Sequence, residues 1–262
     1  MKNFLSIFAI FSLTGILNTS TAQEYQMTPP PPPSQEYNTV APTGYFALSL
    51  GIAQPIGSFA SQPTTGYGGY ALTGDNINLS IGIPINHSNF GIAFMFGSFV
   101  NDFDMNTYVS NAAISDPSKN YQPFEQDVYD ESFILAGLFA TYPINRLSID
   151  VRIMGGVSFC YLPEIDYGAA VYDPTISDYD NYEWDTYSSR STSFALAAGA
   201  DLRYKVRRFS LMLGVDFLTT DPTVNTEQQY TDPNGNYSYT HITGKVPISI
   251  ISTSLGIAYQ IR

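Results

Sequence analysis

Five charged residues interrupt segments that are otherwise apolar: Asp150 and Arg152, Asp201 and Arg203, and Asp216. Residues two apart share a face of an extended strand, so each Asp-Arg pair points the same way, opposite the large residues beside it. Taking the face of smaller residues as inward gathers all five into one interior. Charges so placed support two kinds of chemistry. They can satisfy one another as a fixed plug, since ions removed from water persist through pairing. They can also gate a narrow ion path, in which case replacing Arg152 and Arg203 with alanine raises conductance.

A second group is the acidic, aromatic run Asp178-Tyr179-Asp180-Asn181-Tyr182-Glu183-Trp184-Asp185. Asp178, Asp180, Glu183 and Asp185 could hold Ca²⁺ or Mg²⁺ loosely, and Trp184 with the tyrosines offers rigid amphipathic area to a sugar or a protein. The simpler role is a solvated loop whose aromatics also serve a membrane interface. The run lacks the glycine and final glutamate of the EF-hand calcium loop, so no dedicated metal site and no cofactor are expected. The histidines are His87 and His241. His241 with Ser238 and Asp232 is the sequence grouping nearest to a nucleophile triad, but no Gly-x-Ser-x-Gly elbow accompanies it. No residue is assigned a catalytic role, and the expected function is non-enzymatic.

Eight segments of period-two alternation position these residues. Phe46, Leu48, Leu50 and Ile52 alternate with Ala47, Ser49, Gly51 and Ala53 in the first; Ile77 to Ile83 and Phe90 to Phe96 repeat the pattern in the second and third. The fourth, Phe133 to Tyr142, is apolar at nearly every position, so its faces are not assignable. Segments over 147–161, 193–204, 209–217 and 251–261 complete the set. Connections near 84–89, 143–146 and 205–208 are short, whereas those near 54–70, 101–131, 162–190 and 219–246 are long and hold 17 of the 23 acidic residues. Arg146, Lys205, Arg207, Arg208 and Arg262 lie at the short-turn end.

Met1 to Ala22 carries Lys2, an apolar stretch and the small-residue site Ser20-Thr21-Ala22, which reads as a secretory signal peptide. No cysteine lies near that site, so a lipid anchor is not expected. Residues 23–43, with the prolines Pro29 to Pro33, read as an extended periplasmic spacer. Elsewhere no apolar run is long enough for a spanning helix, so an integral protein must be a closed barrel. Removing Lys2 with the leader leaves 10 Lys and Arg against 23 Asp and Glu, a net −13. That balance argues against nucleic acid as a partner. Cys160 is the one cysteine, which excludes an internal disulfide.

The chain closes on Ser254-Leu255-Gly256-Ile257-Ala258-Tyr259-Gln260-Ile261. Ser254, Gly256, Tyr259 and Ile261 give the spacing polar-x-Gly-x-x-aromatic-x-apolar, which resembles the C-terminal assembly signal of bacterial outer-membrane barrels, with Arg262 added after it. Together with the strand count and loop alternation, residues 44–262 resemble the small eight-stranded barrels of the OmpA/OmpX-like superfamily. The run Pro-Ile-Gly-Ser-Phe-Ala at 55–60 resembles the first loop of Bacteroidetes members. The resemblance implies an all-β, antiparallel up-and-down transmembrane barrel in a Gram-negative outer membrane, with both termini periplasmic. It also implies outer-membrane lipids and the barrel assembly machinery as partners, with an envelope protein as a further partner. Its role would be structural or one of surface contact through the loops. The other readings are a narrow porin, an accessory subunit of an envelope complex and, for the fold, a secreted β-sandwich.

Overall fold

A computed structural model describes residues 43–64, 68–86, 88–175 and 177–261. The expected leader, nearly all of the spacer, His87 and Arg262 lie outside these residues. In chain order the elements are β1 (Gly44–Pro55), β2 (Gly74–Pro84), β3 (Phe90–Asp102), α1 (Met105–Ser115), β4 (Asn120–Gln126), β5 (Val128–Ile144) and β6 (Leu147–Leu162). There follow β7 (Ile165–Asp173), β8 (Asp178–Thr186), β9 (Ser189–Val206), β10 (Phe209–Thr220), β11 (Thr223–Thr231), β12 (Tyr237–Lys245) and β13 (Ile248–Ile261).

Eight strands close into an antiparallel barrel in the order β1-β13-β10-β9-β6-β5-β3-β2. The alternation explains the closure: Phe46, Leu48, Leu50 and Ile52 point outward, while Tyr45, Ala47, Ser49 and Ala53 are buried within. The outward face is organised along the barrel axis. Phe46, Phe90, Tyr142, Tyr204, Phe209 and Tyr259 ring the short-turn end, and Phe96, Phe159, Phe194 and Phe217 ring the other. Between the rings the outward residues of the described strands include no Asp, Glu, Lys or Arg. From Phe209 to Phe217 along β10 is roughly 27 Å of strand, shortened by barrel tilt to about 20 Å, close to the apolar band of membrane barrels.

The fourth segment acquires faces through glycines on its neighbours. Phe133 and Phe139 of β5 point inward, where a Cβ on Gly97 or Gly91 of β3 would collide with their rings. Tyr45 lies over Gly82 of β2 in the same way. Large inward residues thus stand beside missing side chains, and the lumen fills. Along the seam between β1 and β13, Gly256 lies so close to Leu48 and Ser49 that no Cβ fits without a backbone shift. Ser254 is buried inward, whereas Tyr259 and Ile261 face outward. At the short-turn end, Asn145-Arg146 and Arg207-Arg208 join strands directly, with positive φ at Asn145 (57°) and Arg207 (60°).

Three of the four long connections depart from the loops that were expected. They contain α1 and a five-stranded sheet ordered β12-β11-β8-β7-β4. This order repeats that of β13, β10, β9, β6 and β5 in the barrel wall, because each strand of the second sheet continues one of those strands past a short break. Prolines explain three of the breaks: Pro163, Pro222 and Pro247 lack the N–H that would carry the ladder through. The sheet is one wall of the barrel prolonged beyond its mouth.

Candidate functional site

The lumen brings together all five charged residues expected there, each at least nine-tenths buried. Arg152 lays its guanidinium against both oxygens of Asp216, with Nη2 donating at 2.6 Å to each and Nε at 3.0 Å to Oδ1, and Nη1 also donates to Asp201 Oδ2. Arg203 donates from Nη2 to Asp150 Oδ1 at 2.9 Å, and its Nε faces Oδ2. The Arg203 guanidinium also sits 4.1 Å from the centre of the Tyr45 ring. Two-point guanidinium-carboxylate pairing is the strongest form such contacts take.

The pairing depends on Gly199, which sequence reading did not single out. Arg152, Gly199 and Asp216 form one row across β6, β9 and β10. A Cβ on Gly199 would collide with Asp216 Oδ1, so the bare position lets Arg152 reach across β9. Gly199→Val is expected to destabilise the barrel by at least about 3 kcal/mol, since it separates a buried pair. Denaturant midpoints of the refolded protein check this, and an unchanged midpoint would remove Gly199 from the role.

Above this cluster the barrel mouth is filled by rings. Phe59 and Tyr70 from the first long connection, Phe103 and Tyr108 beside and within α1, and Tyr129 of β5 contact one another at centroid distances between 4.9 and 6.2 Å. Tyr129 donates its hydroxyl to Gly69 O at 2.7 Å. Asp104 caps α1 by accepting from the Thr107 amide, and Asn111 donates to Gln62 O and Pro63 O, which fastens the helix across the opening.

The second sheet has two unlike faces. Tyr167 and Trp184 stack at 5.3 Å and 10°. Tyr121, Tyr182 and Tyr230 extend the ladder across β4, β7, β8 and β11. Lys119 caps it, 5.4 Å from the Trp184 ring, while paired with Asp116 at 3.1 Å. Tyr108 of α1 meets Tyr167 edge-on at 5.6 Å, so the helix lies against this aromatic face. Burial raises the hydroxyl pKa of Tyr108 and Tyr167. Hydrogen bonds from Ser118 and then Lys119 hold the Asp116 carboxyl below its usual range.

The acidic run therefore divides instead of converging. Strand parity places Asp178, Asp180 and Trp184 on one face of β8 and Glu183 and Asp185 on the other. Trp184 is half-buried in the ladder rather than free on a loop. Glu183 and Asp185 join Asp166 of β7, a residue sequence reading missed, so that one oxygen of each lies within 4.8 Å of the others. His241 on β12 pairs with Glu227 at 3.2 Å, with Ser238 on the opposite face of its strand. Asp232 shapes a turn by accepting from the amides of Asn234 and Asn236. The triad grouping does not assemble.

No protein-family model matches the sequence, and no curated protein sequence matches it. Solved structures of similar shape include Neisserial surface protein A, at 13% identity and TM-score 0.44, covering 83% of this chain and 97% of that one. A major outer membrane protein of Thermus thermophilus gives 12% and 0.42, covering 83% of this chain and 99% of that one. Ail of Yersinia pestis, solved with the heparin analogue sucrose octasulfate, gives 13% and 0.41 over 84% and 99%. Likeness of this degree concerns the barrel fold alone.

Proposed function

We propose that this chain is an integral outer-membrane barrel without enzymatic activity, whose second sheet is an extracellular contact surface. The observation that carries this is the uncharged outward belt between two aromatic rings on a closed barrel. A secreted sandwich would instead show water a polar exterior. The short turns and both ends of the barrel then face the periplasm, with Ser254, Gly256, Tyr259 and Ile261 as the signal read by the assembly machinery. An OmpA/OmpX-like kinship fits the strand number; the Bacteroidetes trait rests on the 55–60 run alone. A narrow porin is disfavoured, because the paired lumen charges and the ring-filled mouth obstruct the same path. An accessory subunit of an envelope complex would use the same sheet, whose β12 edge is exposed.

Cysteine labelling on intact cells tests the placement. Cys160 is buried and provides a silent background. Tyr237→Cys, at the tip of the β11–β12 hairpin, should react with a membrane-impermeant maleimide on whole cells, whereas Arg208→Cys should react only after the outer membrane is opened. Equal reactivity at both sites would contradict the reading.

A second reading concerns cations. Asp166 and Asp185 stand directly opposite each other across β7 and β8, and with Glu183 they bring one oxygen each to within 4.8 Å of the others, a spacing over which one Ca²⁺ reaches all three. Millimolar Ca²⁺ is then expected to slow proteolysis of the sheet, and identical digestion in chelator would count against it.

A further inference from the structure

The face of the second sheet opposite the aromatic ladder carries a cavity of about 240 Å³. Strand register aligns Gln122, Gly168, Glu183 and Thr231 in one row across β4, β7, β8 and β11, with Asn120, Ala170 and Asn181 in the next. Gly168 leaves a gap in its row. The ring of Phe124 occupies that gap, so closely that a Cβ on Gly168 would stand against it. Phe124 nevertheless remains 58% exposed. Covering a glycine accounts for the position of the ring. It does not account for side-chain amides, a carboxylate and a hydroxyl gathered around an apolar surface open to water.

We infer that this cavity binds one pyranose ring of a neutral or amino sugar. A pyranose presents an apolar C–H face that stacks on an aromatic ring. Its neighbouring hydroxyls match the paired donors and acceptors of Asn120, Gln122, Asn181 and Glu183. The volume falls below the roughly 300–1,000 Å³ of pockets that enclose drug-sized ligands, which suits a single ring with the remainder of a glycan outside. Charge selects among sugars. Glu183 lines the cavity, Asp166 and Asp185 stand one step along the same strands, and the whole chain carries −12. Sulfated, phosphorylated and carboxylated glycans are repelled, whereas an ammonium group is attracted. The site rests on strands, which hold their side chains more firmly than loops do. This inference deepens the proposed surface role and depends on the sheet facing the exterior.

The test uses the full chain refolded in a detergent without a sugar headgroup, in chelator so that no divalent cation contributes. Methyl glycosides of glucose, galactose and mannose, together with glucosamine, galactosamine, heparin and an oligolysine peptide, are titrated by saturation-transfer NMR and calorimetry. At least one neutral or amino sugar should bind with a dissociation constant near 1 mM, weak as a single exposed ring implies. Phe124→Ala should weaken it by about tenfold through loss of the stacking surface. Asn181→Ala and Glu183→Gln should each weaken it as well, and heparin should not bind. Absence of sugar binding, binding of oligolysine alone, preference for heparin, or affinity indifferent to all three substitutions would overturn the inference. Each variant is also run with and without boiling on a gel. A protein that shows the mobility shift of a folded barrel yet ignores every sugar overturns this inference alone; one that shows no shift overturns the membrane reading beneath it.

Discussion

Replacing Arg152 with alanine should destabilise the folded barrel by about 3–5 kcal/mol, because it leaves buried carboxylates facing one another without their cation. Asp216 would lose the two-point contact that now satisfies both its oxygens, and Asp201 would lose the Nη1 donor. The two acids point into one small volume, so the loss is larger than that of one hydrogen bond. Replacing Arg152, Asp201 and Asp216 together with apolar residues of similar volume should restore much of the stability, since removing a whole buried ion group is often neutral or better. Urea midpoints in detergent measure both. Conductance across planar bilayers should stay at background in Arg152→Ala and Arg203→Ala, because the rings of Phe59, Tyr70, Phe103 and Tyr129 still fill the mouth. Arg152→Ala with an unshifted midpoint would contradict the pairing, and a rise in single-channel current would restore the gate.

The second large effect separates the prolonged sheet from the barrel below it. Trp184→Ala removes the centre of the aromatic ladder, where one side chain contacts Tyr121, Tyr167, Tyr182 and Tyr230. The local loss should be about 3 kcal/mol, the low end for large aromatic truncations because Trp184 is only half-buried. Proteases should then cut within β7, β8 and β11 much faster than in the parent. The barrel should keep its heat-dependent gel mobility, because the breaks at Pro163, Pro222 and Pro247 interrupt the ladder that joins the two. Unchanged cleavage would show the ladder to be dispensable. Loss of the mobility shift along with faster cleavage would show that sheet and barrel unfold as one unit.

The barrel was legible because its signal is local. In β1, Phe46-Ala47-Leu48-Ser49 states which side chain points outward and which meets the lumen with no help from the rest of the chain. β5 was not legible, because Phe133 and Phe139 point inward only where Gly97 and Gly91 of another strand leave space. The lumen charges were legible as a group from parity, but their partners were not. Asp150 is two residues from Arg152, yet it pairs with Arg203, while Arg152 reaches over Gly199 to Asp216. The inward parity of Gly199 between two charged strands was the signal that could have exposed it. The prolonged sheet was missed for a different reason. The segments 162–190 and 219–246 read as loops, whereas Pro163, Pro222 and Pro247 only interrupt strands, each within a break of two residues. Alternation does return beyond them, as in Tyr182-Glu183-Trp184-Asp185, but acidic and tyrosine-rich composition concealed it. α1 carries one strong sequence mark, the Asp104 cap, and is otherwise held by contacts such as Asn111 with Pro63, distant in sequence.

The outward belt is proposed to be a lipid-facing surface. Membrane flotation of the expressed protein, combined with gel mobility before and after boiling, addresses it most directly. A barrel embedded through that belt should float with outer-membrane vesicles, resist extraction by high salt or alkali, and change mobility only on boiling. Protein that stays in the soluble fraction and migrates identically with and without heat would contradict the account and return the chain to the secreted β-sandwich.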